Sequence, residues 1–249
     1  ETDSQSNHNN ERILQKVADK SYRPMNALLE KLLHKHPDFK VSLSITGTFI
    51  EQAEAWAPDV LESFKRLVQT GQVEIVAETY YHSLAFFYSR DEFERQVEAH
   101  KAKIREVFGV ETNVFRNTEL SYNDELAKWA ENHGFKGILA EGWDPILEWR
   151  SPNFVYSPEG TEKLSLMLKN YKLSDDLAFR FSNRAWEEWP LTVDKYNSWI
   201  EASIQDQPLV NLFMDYETFG EHQWEDTGIF TFFEEFVDRW LANPDNTFY

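Results

Sequence analysis

The chain contains no cysteine. Disulfide cross-links, thiol nucleophiles and cysteine-based zinc sites are therefore excluded. No run of about 18 apolar residues occurs, so no segment reads as a membrane-spanning helix. Positive charge is in deficit: 25 Lys and Arg stand against 43 Asp and Glu, for a formal charge of −18. That balance argues against nucleic acid or an anionic membrane as a partner, because neither would find a cationic face to bind. GxGxxG, a P-loop lysine motif, GxSxG and HExxH are all missing, so dinucleotide, nucleoside-triphosphate, α/β-hydrolase and zinc-protease readings lapse. His34 and His36 are two apart on a helical pattern and point to different faces. No metal site and no cofactor are expected. Residues 1–11 are polar and carry no signal-peptide h-region. A cytoplasmic location is expected, with residues 1–10 flexible.

Short β-branched runs alternate with amphipathic segments. Strands are expected over residues 41–46, 73–77, 114–118, 137–141, 164–168 and 209–214. Helices are expected over 12–36, 58–70, 90–108, 124–133, 193–204 and 229–241, with Gly71 and Gly134 as stops for the second and fourth. Strands at helix-length spacing imply right-handed βαβ crossovers and a parallel sheet. Nothing marks a linker, so residues 1–249 read as one domain. Six strands exceed a minimal doubly wound unit and fit most of a (β/α) barrel. The leading helix has no strand before it, and a first strand is expected to be missing from this chain.

In such folds the reacting groups sit at the C-terminal ends of strands. Glu78, Tyr80, Tyr81 and His82 follow the second strand, and Glu119 the third. Glu141, Trp143 and Asp144 follow the fourth, and Asp215, Glu217 and His222 the last. Four strand ends thus pair a carboxylate with aromatic residues. Two carboxyl groups are what glycosidic cleavage needs, one to give a proton and one to attack carbon or activate water. Aromatic rings pack on the apolar faces of sugars, and nine Trp and ten Tyr supply them. On spacing alone, Glu119 serves equally as a surface carboxylate ahead of a helix capped by Ser121 or Asn123. Asp215 serves equally as a cap or turn residue. Trp129, Trp199 and Trp240 lie at helical spacing in apolar company and are expected in the core.

Three stretches resemble conserved regions of glycoside hydrolase family 57, in its α-amylase-like branch. They are Gly71-Gln-Val-Glu-Ile-Val76, Phe115-Arg-Asn-Thr-Glu-Leu120 and Met214-Asp-Tyr-Glu-Thr-Phe-Gly220. The stretch Lys172-Leu-Ser-Asp-Asp-Leu-Ala-Phe-Arg-Phe-Ser182 is also similar to the family, and the resemblance extends from about Tyr22 to the C-terminus. It implies a (β/α)7 barrel, an incomplete relative of the TIM barrel. It implies retaining cleavage or transfer of α-glucosidic bonds in an α-1,4-glucan or maltooligosaccharide, without a cofactor. Glu119 would be the nucleophile and Asp215 the general acid/base. Glu74 would line the site, and Glu217 would hold sugar hydroxyls. His82, Asp176, Arg180, His222 and Trp224 are placed by proximity as further sugar contacts. The family's leading His-Gln-Pro motif has no counterpart here, and its helical C-terminal region does not follow Tyr249. A partial chain with an open barrel side, poorly active by itself, is therefore expected. A 4-α-glucanotransferase or branching-type enzyme would use the same residues, and an inactive glucan-binding relative would lack one of the two carboxylates. A deacetylase on a similar barrel would need a His/Asp metal triad whose spacing is absent. Nothing in the sequence specifies an oligomeric state.

Overall fold

The computed structural model describes residues Thr2 to Tyr249. Glu1, the first residue of the stretch expected to be flexible, lies outside the described residues. The rest of that stretch is helical. Helix α1 spans Thr2–Val17, a π-helical turn covers Ala18–Tyr22, and α2 runs over Arg23–Lys35. One continuous helix was expected over this region from residue 12. Pro24 accounts for the interruption: in an α-helix its nitrogen would face the Lys20 carbonyl, but it has no hydrogen to give and its ring would press on that oxygen. The turn widens instead, and the Arg23 N–H bonds to Ala18 O, five residues back.

The remaining elements alternate. Strand β1 (Val41–Ser44) is followed by α3 (Gly47–Trp56) and α4 (Pro58–Gln69). Then come β2 (Val73–Val76), α5 (Arg90–Phe108), β3 (Val114–Arg116) and α6 (Asp124–Asn132). They lead to β4 (Gly137–Glu141), α7 (Asp144–Leu147), β5 (Ser165–Lys169) and α8 (Tyr171–Ala178). Helices α9 (Val193–Ile204) and α10 (Ile229–Ala242) complete the chain. Helices α3, α7 and α8 were not expected from the sequence. Helix α3 opens on Gly47, a poor helix former, and is started by a cap: the Phe49 N–H donates to Thr46 Oγ1 at 3.0 Å. Among the described residues no helix is long and apolar enough to cross a membrane.

Every named strand pair is parallel. β1 pairs with β2, and β3, β4 and β5 pair in that order. Ala77 joins the two groups, its N–H donating to Val114 O and its carbonyl accepting from the Arg116 N–H, each at 2.8 Å. The strands therefore lie in sequence order. Residues 209–214, expected as a sixth strand, are extended but form no ladder. Tyr156 has already taken the free edge of β5 through two antiparallel bonds to Leu166. Further along that edge, Asn211 bonds to the Leu168 carbonyl and the Asn170 N–H, at 3.0 and 2.9 Å.

Two apolar cores follow from this layering. One gathers α1 to α4, α9 and α10, with Leu32, Ile50, Leu67, Tyr196 and Val237 fully buried. The other lies between β3 to β5 and α5 and α6. At its centre the Phe115 ring meets Phe93, Trp129 and Phe135 at centroid distances of 5.8, 5.2 and 5.5 Å. Trp240 is buried as expected, while Trp129 and Trp199 are half-buried at the core margins. Phe115→Ala removes the ring that ties β3 to two helices. It is expected to lower the unfolding free energy by about 3–5 kcal/mol, read from urea unfolding. A loss under about 1 kcal/mol would show that this cluster does not hold the sheet to its helices.

Candidate active site

The loops after β2 and β3 are tied together before any charged group is considered. Thr118 Oγ1 donates to Ser83 O at 2.7 Å and meets Thr79 Oγ1 at 3.1 Å, and the Ser83 N–H donates to Thr79 Oγ1 at 2.8 Å. This knot presses His82 and Glu119 against each other. Both take the left-handed conformation, with φ of 53° and 55°, and Leu120 follows at 57°. Such backbone costs a non-glycine residue about 1–3 kcal/mol and persists only where surroundings enforce it.

Glu78 lies beneath them and is buried. Its Oε1 accepts from Ser44 Oγ at 2.8 Å, its Oε2 meets His82 Nδ1 at 3.1 Å, and the Arg116 guanidinium stands 3.9 Å away. Its backbone N–H donates to His100 Nδ1 at 3.4 Å, while His100 Nε2 donates to Ile45 O at 2.7 Å. Burial pushes the His100 pKa down, so it stays neutral and can accept at Nδ1. His82 is pushed the other way. Glu78, and then Glu119 at 2.9 Å from Nε2, raise its pKa above the ordinary histidine value, so both ring nitrogens donate. The bond from His82 in turn holds the Glu119 carboxyl below the usual range, with Arg116 contributing. Glu119 is thus an ionised carboxylate, 78% exposed at its side chain. It stands beside a cavity of about 380 Å³ lined by Ser44, Thr46, Thr48, Glu78, Tyr81, His82 and Arg116. Among the described residues no group of three His, Asp or Glu is arranged to hold a metal ion.

The other expected site residues fall in three places. Glu74 shares the inward face of β2 with Glu78 but sits lower. It accepts from Ser42 Oγ at 3.4 Å, and burial raises its pKa. The structure brings Glu78, four residues on, to the cluster instead. Asp176 on α8 pairs with Arg180, two residues past the end of that helix, at 2.7 Å, and Asp176 is buried near Tyr196 of α9 rather than at the Glu119 cluster. Asp215 opens the short turn Tyr216–Thr218 and is exposed, and among the described residues its carboxylate has no hydrogen-bond partner. The cap reading of Asp215 therefore holds for its position only. Asn123 does cap α6, accepting from the Leu126 N–H at 2.9 Å, and Glu119 still stands free of that cap. Glu217 accepts from the Tyr22 hydroxyl. His222 and Trp224 are exposed, with Lys20 Nζ 4.4 Å from the Trp224 ring centre. Glu78 and Arg116 were missed as site residues. Their signal was period-two spacing, from Glu74 through Val76 to Glu78 on one strand and from Val114 to Arg116 on another.

The linkage has a definite sign. His82 is raised, so its contribution to stability is complete at low pH and is lost as pH rises through its folded value. Glu119 is lowered, so its contribution is lost as pH falls through its own. The array is intact between the two. Nuclear magnetic resonance titration is expected to place His82 above its ordinary 6.5, with Glu78→Gln moving it down further than Glu119→Gln does. An unshifted His82, or the reverse order of the two variants, would contradict the bonding described.

A family model described as glycosyl hydrolase family 57 matches residues 4–244. The "Putative alpha-amylase" of Methanocaldococcus jannaschii is 50% identical over 225 residues, which are 90% of this chain and 47% of that protein. The 4-alpha-glucanotransferase of Thermococcus litoralis is a more distant match in structure. Its crystal structure superposes with a TM-score of 0.73 at 24% identity, over 93% of this chain and 35% of that one. A GH57-type branching enzyme of Pyrococcus horikoshii gives 0.71 at 13% identity, over 96% of this chain and 65% of that one. The chain spans about half the length, or less, of the curated relatives it matches. Its parallel α/β fold is that of these enzymes, and by the extent of the family match the chain belongs to glycosyl hydrolase family 57.

Proposed function

We propose that this chain is the catalytic part of a retaining α-glucan hydrolase, within one (β/α)7-barrel domain of a cytoplasmic enzyme. The observation that carries the reading is the ionised Glu119, held at a strand end by a protonated His82 against a buried Glu78. Glu119 attacks the anomeric carbon of an α-1,4-linked glucose unit. The C–O bond to the departing sugar breaks as a glycosyl ester forms on Glu119. Asp215 gives its proton to the departing oxygen, then takes one from water, whose oxygen displaces the ester and regenerates Glu119. Glu217 binds sugar hydroxyls beside Asp215. Asp176 and Arg180 support α8 in this reading, and Trp224 offers an exposed ring to a glucose face. A sugar hydroxyl in place of water turns the same steps into transfer. The matches named as glucanotransferase and branching enzyme keep that second reading in view.

Product analysis on maltoheptaose with the full-length protein tests this. Shorter sugars alone are expected, with Glu119→Gln lowering kcat by roughly 10³-fold or more. A ladder both shorter and longer than the substrate would establish transfer by the same residues. Unchanged turnover in Glu119→Gln would overturn the nucleophile assignment, and no turnover by the unaltered protein would overturn the α-glucan reading.

A further inference from the structure

We propose that the π-helical turn Ala18–Tyr22 is a positioning device for Asp215, created by Pro24. The inference rests on the reading of Asp215 as general acid/base. No hydrogen bond or ion pair steadies the Asp215 carboxylate among the described residues, so its direction is set by the chain that carries it. That chain is extended residues 209–214 on one side and the turn Tyr216–Thr218 on the other. The first side reaches the sheet through Asn211 alone, and the Phe213 N–H donates to Ser174 Oγ of α8 at 3.1 Å. The second is gripped by three consecutive residues of the π-turn.

Lys20 grips with its backbone. Pro24 leaves the Lys20 carbonyl without a helical donor, and the widened turn aims it at Gly220. A Cβ on Gly220 would stand 1.8 Å from that oxygen, and Gly220 has φ of 110°. Only glycine fits on both counts. The Lys20 ammonium reaches Glu221 at 2.9 Å and lies over Trp224. Ser21 Oγ donates to Tyr216 O at 3.3 Å. The Tyr22 hydroxyl donates to Glu217, and burial together with Glu217 keeps its pKa far above the usual tyrosine value, so it remains a donor. Tyr216 itself is anchored from the same helix, its hydroxyl donating to Asn26 Oδ1 and its ring 6.0 Å from Tyr22 and 5.5 Å from Phe64. Both residues following Asp215 are thus fixed by side chains from the start of the chain. A regular helix would return the Lys20 carbonyl to its own backbone and shift the Gly220 contact.

A misplaced acid has a signature that general damage lacks. It slows departure of a sugar alkoxide, which needs a proton, more than departure of a nitrophenolate, which does not. The readout is kcat/KM, which covers binding and the bond-breaking step but not the later hydrolysis of the ester, for maltoheptaose and for a 4-nitrophenyl α-maltooligoside with the full-length protein. Pro24→Ala restores the missing N–H. It is expected to cost roughly tenfold on maltoheptaose and under about threefold on the nitrophenyl substrate, in line with the cost of small misplacements of reacting groups. Tyr22→Phe keeps the ring and is expected to show the same selectivity, more weakly. It serves alone if Pro24→Ala does not fold. Equal losses on the two substrates, or no loss, would overturn the proposal. Asp215→Asn separates it from the underlying assignment. Selective loss there with unselective change in the helix variants sinks only the positioning role. Unselective behaviour of Asp215→Asn sinks the acid assignment and the positioning role together.

Discussion

The architecture of the strand ends depends on one buried carboxylate. Glu78 lies inside the protein at 1% exposure, and a carboxylate there is tolerated only if hydrogen bonds and charge meet it from all sides. Three elements do so, and a fourth holds the Glu78 backbone. Ser44 comes from β1, His82 from the loop after β2, Arg116 from β3, and His100 from α5 reaches the Glu78 backbone. None of these contacts exists unless β1, β2 and β3 lie parallel, with their ends at one level and α5 packed across them. Satisfying Glu78 therefore fixes His82, and His82 fixes Glu119. The left-handed backbone of His82 and Glu119 follows from that chain of demands, because the tied loops leave no other way to bring the two side chains together.

Asp215 is supported by a different physics. It has no charged neighbour to orient it, and the segment leading to it is weakly bonded to the sheet because Tyr156 occupies the β5 edge. Support comes instead from shape: a glycine against a freed carbonyl, a buried tyrosine between aromatic rings, and a phenol on the next carboxylate. These contacts join residues about 200 positions apart in sequence, Ser21 and Tyr22 with Tyr216 and Glu217. The Glu119 side forms from elements close in sequence, whereas the Asp215 side must await closure of the whole chain. Glu119 and Asp215 are thus held in different ways, one by a local ionic array and the other by a long-range packed clamp.

That difference explains what could be read from the sequence. β1 to β5, α4 to α6, α9 and α10 were legible because their apolar periodicity and their stops are local: Gly71 and Gly134 both take positive φ just past a helix. Glu119 and Asp215 stood out because each follows an apolar run inside a recognisable motif, although only the run before Glu119 is a strand. Residues 2–10 were not, because their helix has no apolar stripe, and the buried Leu14 and Ala18 come only at its end. Residues 209–214 have a strand's composition, but ladder formation depends on which edge is free, and Tyr156 decides that from outside the segment. Glu74 was favoured over Glu78 because it lies inside the conserved-looking stretch. Only the height of each residue along β2 separates them, and height is a property of the sheet.

The array also resolves a conflict in its own chemistry. In the proposed role of nucleophile, Glu119 would be weakened by a strong donor, because the bond from His82 lowers its basicity as well as its pKa. A carboxylate has two oxygens, and the array uses one of them. His82 Nε2 binds Oε1 at 2.9 Å, and no hydrogen bond falls on Oε2 among the described residues. One oxygen aims the group while the other is free to react. The array around Glu119 is balanced in itself, with Glu78 and Glu119 set against His82 and Arg116 in a protein whose formal charge is −18, which would suit the proposed neutral glucan. A phosphorylated ligand would meet repulsion from that surface on approach, whereas a neutral glucan would not. In the proposed reaction, the positive charge that develops on the sugar as its bond breaks would instead be stabilised by the Glu119 carboxylate.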